Sequence, residues 1–107
     1  MGLPVIATNW SGPTAFLTVN NSYPLDIDGL EAVPSGPFRK HHRWASPCAA
    51  HLRQLMAHVV SHPNEAKKKG AQARADMKAW FSPQRIAADI ETHFKRIQAK
   101  LVSEGDL

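Results

Sequence analysis

The spacing of hydrophobic positions changes partway along the chain, and the change predicts two kinds of structure. Near the start, Val5, Ile6 and Ala7 form an unbroken apolar run. Such runs belong to strands covered on both faces, as in a parallel sheet, so a first strand is expected over Pro4 to Thr8. Asn9-Trp10-Ser11-Gly12-Pro13 breaks the run. The glycine-proline pair forces a turn, and Pro13 can open a short helix through Leu17. Val19-Asn20-Asn21-Ser22 reads as another turn. Ser22 to Ile27 and Leu30 to Val33 read as short extended segments around Asp28-Gly29, and Ser35 to Ala45 as a loop.

From about residue 46 the spacing becomes helical. Ser46-Pro47 supplies a capping side chain followed by proline at the first helical position. Leu52, Leu55, Met56, Val59 and Val60 then recur at three and four, which makes one apolar stripe. Pro63 ends this helix and starts the next, lined by Ala66, Gly70, Ala73, Met77, Trp80 and Phe81. Ser82-Pro83 repeats the start signal for a third helix. Ile86, Ile90, Phe94, Ile97 and Leu101 form its apolar face, and fraying is expected near Gly105. The expected fold class is therefore α/β: short parallel strands over residues 1–45, then three helices over residues 46–104.

Composition adds limits. The chain has 107 residues, 43% hydrophobic and 21% charged, which suits one small packed domain rather than a disordered segment. A net charge of +4 and a pI near 9.6 raise nucleic acid, anionic membranes and phosphorylated ligands as partners. The cations do not single one out. Lys67, Lys68, Lys69, Arg74 and Lys78 read as a solvated helix face, with Glu65 placed to pair with Lys69 four residues on. Arg39-Lys40-His41-His42-Arg43, flanked by Phe38 and Trp44, is the densest basic run. Aromatics beside cations can stack nucleic-acid bases, but a solvated loop anchored by its aromatics is the expectation, with Trp44 in a packing role.

Other classes are excluded by what the chain lacks. Cys48 is the single cysteine, so no intramolecular disulfide forms; a reducing, cytoplasmic setting is expected. No run of about eighteen apolar residues is present, so no transmembrane segment is expected. The start has no basic segment leading into an apolar run, and Ile6 stands where myristoylation wants serine or threonine. His58 and His62 are four apart and could share a helical face, but Pro63 ends the helix there and no glutamate joins them in a metalloprotease pattern. His41-His42 would point to opposite sides if extended. No metal site is expected. Cys48 has no nearby histidine-acid arrangement, and Asp26, Asp28 and Glu31 form no marked pair, so no catalytic residue is assigned.

A resemblance sharpens the reading. Gly2-Leu3-Pro4-Val5-Ile6-Ala7-Thr8-Asn9-Trp10-Ser11-Gly12-Pro13-Thr14 resembles a segment of the family 4 glycosyltransferases, retaining enzymes with a two-domain GT-B fold. Asn21-Ser22-Tyr23-Pro24-Leu25 is similar to the extended segment after that loop, and Arg43-Trp44-Ala45-Ser46-Pro47 to the lead-in of the next helix. Pro63 to Gly70 and Asp76 to Pro83 resemble the two closing helices, so the likeness spans about residues 2 to 90 in the family's order. It implies a partial Rossmann-like, C-terminal donor-binding domain, with Thr8, Asn9, Ser11 and Gly12 contacting the nucleotide-sugar donor.

Two departures follow from the same comparison. Family members carry paired catalytic-site glutamates and diphosphate-gripping cations upstream of the matched strand, and nothing in this sequence matches them. Ala15 also stands where the family's loop commonly has glutamate. The resemblance thus implies a fragment of an enzyme that moves a hexose from a nucleotide-diphosphate sugar, inactive alone and needing no cofactor. The alternative is a small basic helical module that binds a protein or nucleic acid.

Overall fold

The computed structural model describes residues 1–37 and 40–105; Phe38 and Arg39 of the basic run lie outside the described residues. In order, the elements are β1 (Ile6–Thr8), a 3₁₀ turn (Gly12–Ala15), β2 (Tyr23–Leu25), β3 (Ile27–Ala32), β4 (Arg43–Pro47), α1 (Ala49–Ser61), α2 (Pro63–Trp80) and α3 (Pro83–Ser103). The chain divides into two compact units, Met1–Arg74 and Ala75–Leu107.

In the first unit, β1 and β2 pair in parallel, with Ile6 opposite Tyr23, Ala7 opposite Pro24 and Thr8 opposite Leu25. The pairing runs past both ends: Tyr23 N donates to Val5 O and Asn9 N to Leu25 O, each at 2.8 Å. Tyr23 and Leu25 face the same side, as alternation in a strand requires, and both are buried. They meet the α1 side of the unit. β1 itself is only half-buried, and Val5 is exposed. Its apolar run predicted cover on both faces; among the described residues it has one strand neighbour.

β3 and β4 form an antiparallel ribbon, from Ile27 opposite Pro47 to Ala32 opposite Arg43. This corrects three sequence expectations. The strands are not all parallel. Asp28-Gly29 does not separate two segments: the register shifts between Ile27 and Gly29, and Gly29, at φ +135°, absorbs the irregularity inside one strand. Arg43 to Ala45 is strand rather than loop. The ribbon is mostly exposed, so it carries no apolar alternation to reveal it. Polar cross-strand contacts hold it instead. Trp44 Nε1 donates to Glu31 Oε1 at 3.0 Å, and the Arg43 guanidinium donates to Leu30 O at 2.9 Å.

The start of α1 is also displaced from its expected position. Ser46 and Pro47 belong to β4, and Cys48 is the cap, its Sγ accepting from His51 N at 3.5 Å. Cys48 N donates to Asp26 O at 2.9 Å, which keeps the chain extended beyond the local Ser-Pro signal. The other two helix starts fall where expected. Pro63 opens α2, and Ser82 caps α3, its Oγ accepting from Arg85 N at 3.2 Å.

The centre of the first unit is small and partly polar: Asn21, Ser22, Tyr23, Leu25, Ala66 and Gly70 are buried. Each buried polar side chain closes the turn that leads into β2. Asn21 Oδ1 accepts from Thr18 N at 2.7 Å, Asn21 Nδ2 donates to Phe16 O at 2.9 Å, and Ser22 Oγ donates to Thr18 O at 2.7 Å. Lys69 reaches the same turn from α2. Its Nζ donates to Val19 O and Ser22 O and lies 4.5 Å from the centre of the Tyr23 ring. The expected Glu65–Lys69 pair is thus replaced by contacts with the turn. Gly70 lets the backbone at Gly2 and Leu3 cross α2 at contact distance.

In the second unit, Arg85 covers the Trp80 ring at 4.6 Å and pairs with Asp89 at 3.0 Å. Glu91 pairs with Lys95, and Lys100 with Glu104, along the outside of α3. Ile86, Ile90, Phe94 and Ile97 remain exposed on its apolar stripe.

Candidate functional site

The four residues assigned to donor contact lie together at the carboxyl end of β1. Thr8 closes the strand. Asn9 continues the pairing through its amide while its side chain is exposed. Trp10 N then turns back to Thr8 O at 2.9 Å. Ser11 follows with φ +58° and ψ −139°, a left-handed conformation that an L-residue adopts at a cost of about 1–3 kcal/mol. Its carbonyl accepts from both Thr14 N at 3.0 Å and Thr14 Oγ1 at 2.6 Å, which holds the strained turn. Gly12 is exposed, and a Cβ there would meet nothing within 4 Å. The loop therefore presents a side-chain amide, a hydroxyl and an open stretch of backbone. Ala15 ends the 3₁₀ turn.

A second polar cluster sits where α1 turns into α2. His58 is on the last full turn of α1, and His62 is its C-cap at φ −126°. Pro63 opens α2, which returns Glu65 to His58. His58 Nε2 and Glu65 Oε2 are 2.6 Å apart. The His58 and His62 rings stack with centroids 4.0 Å apart, and His62 Nδ1 lies 2.9 Å from His58 O and 3.1 Å from Ser61 Oγ. The hydrogen bond from His58, above all, holds the Glu65 carboxyl below its usual range; the charges of His58, Lys69 and His62 act in the same direction. The buried Tyr23 ring packs edge-on against His58 at 5.9 Å. Its hydroxyl is buried with no hydrogen-bond partner among the described residues, and burial raises its pKa.

One ligand atom each from His58, His62 and Glu65 lie within 4.8 Å of one another. The sequence reading paired the two histidines but missed the carboxylate. The signal was a glutamate three residues past His62, across a proline that reverses the chain.

Asp26 and Cys48, unmarked in the sequence, meet His51 at the start of α1: Cys48 N donates to Asp26 O and His51 N to Cys48 Sγ. His51 Nδ1 accepts from Asp26 N at 3.0 Å and lies 3.3 Å from Asp26 Oδ2, so it ties α1 to the junction between β2 and β3. Lys40, His41 and His42 are exposed. No described helix is long and apolar enough to cross a membrane. No family model, curated protein or solved structure matches the chain.

Proposed function

We propose that this chain forms part of the donor-binding half of a retaining glycosyltransferase, a hexosyltransferase that uses a nucleotide-diphosphate sugar. The observation that carries this reading is the loop Thr8–Gly12 at the carboxyl end of a parallel strand, with Ser11 held in a strained conformation. Ligands of open α/β sheets sit beyond the carboxyl ends of the strands. Strained residues cluster where a site needs a fixed geometry.

The chemistry gives Asn9, Ser11 and Gly12 a role. As the bond to the sugar breaks, the diphosphate gains negative charge and the sugar ring gains positive character, so fixed donors around the phosphates lower the barrier. Asn9 and Ser11 offer side-chain donors, and Gly12 lets a phosphate or sugar hydroxyl approach the backbone without meeting a Cβ. With a methyl group at Ala15, the loop has no carboxylate to accept from a sugar hydroxyl at that position.

Titration with uridine- and guanosine-diphosphate hexoses, followed by backbone amide NMR, tests the proposal. Saturable shifts confined to Thr8–Gly12, weakened in Asn9→Ala and Ser11→Ala, are expected. Unmoved loop amides, together with steeply salt-dependent binding of short nucleic acids, would favour the basic-module alternative.

A further inference from the structure

We propose that His58, His62 and Glu65 bind a divalent transition-metal ion of the zinc class at the turn between α1 and α2. The ligand atoms are already gathered within 4.8 Å, and α1, the Pro63 turn and α2 supply one each from fixed backbone positions. Tetrahedral zinc with bonds of about 2.0–2.1 Å places ligand atoms about 3.3 Å apart. Reaching that spacing needs side-chain rotation, for which there is room: His62 is exposed, and the His58 and Glu65 side chains are 42% and 43% accessible.

The two imidazoles are stacked with centroids 4.0 Å apart, so one ring must turn out of the stack for both lone pairs to meet one ion. His62 Nδ1 faces the His58 carbonyl, so a proton there leaves the lone pair on Nε2. A backbone carbonyl on the second nitrogen is the usual partner that orients a ligating imidazole. His58 Nε2 and Glu65 Oε2 lie at hydrogen-bond distance, 2.6 Å, so binding an ion there requires the proton between them to go. The ion replaces that proton, which leaves to solvent.

Two imidazoles and one carboxylate select zinc, cobalt, nickel or copper over magnesium and calcium, which prefer all-oxygen shells. Three protein ligands leave a coordination position for water. This site is independent of the donor loop.

The test is calorimetric titration of the whole chain with Zn²⁺, alongside imidazole NMR. Expected are one ion per chain, shifts of the His58 and His62 ring signals with His93 unmoved, and no response to Mg²⁺. His62→Ala, at an exposed position, is expected to weaken binding at least about tenfold, the scale of losses around metal ligands. Glu65→Gln is expected to weaken it with the fold intact by circular dichroism, and His93→Ala to leave it unchanged. Equal Zn²⁺ affinity in the wild type and His62→Ala would overturn the proposal, as would shifts spread evenly over all six histidines.

Discussion

Gly70 sits in the middle of α2, where glycine costs about 1 kcal/mol relative to alanine. On helix propensity alone, Gly70→Ala would stabilise the chain by that amount. The structure predicts the opposite. A Cβ built on Gly70 would lie 2.2 Å from Gly2 O, 2.7 Å from Gly2 C and 2.9 Å from Leu3 C. Favourable carbon contacts begin near 3.5 Å, so the crossing segment would have to move by about 1 Å. The obstacle is backbone rather than a flexible side chain, and Gly2 is itself in a left-handed conformation at φ +79°. Overpacking of this kind costs about 1–3 kcal/mol or more. Because the obstacle is backbone, the upper part of that range, about 2–3 kcal/mol, applies, and against the propensity gain a net loss of about 1–2 kcal/mol is expected. Urea denaturation, followed by the fluorescence of the three tryptophans and helical circular dichroism, measures it. With a slope of about 1–3 kcal/mol per molar, the midpoint should fall by about 1 M. Ala71→Gly, at an exposed neighbour, isolates propensity and should lose about 1 kcal/mol. A Gly70→Ala variant as stable as the wild type, or more so, would refute the close approach of the N-terminal backbone to α2.

Two further substitutions test the centre of the first unit. Lys69→Met keeps the stem but removes the donors to Val19 O and Ser22 O; a loss of about 2 kcal/mol is expected, with faster amide exchange at Thr18 and Asn21. Unchanged stability would mean that water satisfies those carbonyls equally well. Tyr23→Phe removes a buried hydroxyl that has no partner, so stability should rise, by about 1 kcal/mol. Because burial raises the folded-state pKa of Tyr23, its neutral form favours the fold below about pH 10, and that contribution is lost as pH rises through the folded value. Tyr23→Phe should flatten this alkaline loss in a urea series across pH 9–11; a destabilised variant would show that the hydroxyl is bonded.

The features readable from sequence were those governed by residues near one another in the chain. Val5-Ile6-Ala7 announced a parallel strand, and Pro63 and Ser82-Pro83 marked two helix starts, because each rule acts within a turn or a strand. Distant hydrogen bonds overruled the local signals elsewhere. Ser46-Pro47 carried a good helix-start signal, yet Cys48 N binds Asp26 O and moves the cap. Most of β3 was read as extended, but β4 and the pairing were not, because the ribbon buries little and its Trp44–Glu31 contact joins residues 13 apart. Gly70 could be placed on the inner face of α2, but nothing nearby said that Gly2 would cross it.

The loop Thr8–Gly12 was legible in position, after the first strand, but not in shape. Its residues are contiguous with β1, whereas the strained Ser11 conformation depends on Thr14 and on the register with β2. The histidine-carboxylate corner turns on a choice made further away. Glu65 had Lys69 four residues on as its natural helical partner. Lys69 instead spends its donors on Val19 O and Ser22 O, carbonyls 50 and 47 residues earlier. That leaves the carboxylate to His58, and with it the potential for cation binding at the corner. The coupling has a direction: releasing Lys69 from the turn would return a competing cation to Glu65. The Lys69→Met variant, which removes that competitor while weakening the turn, should therefore keep its affinity for Zn²⁺ even as the unit around it loses stability.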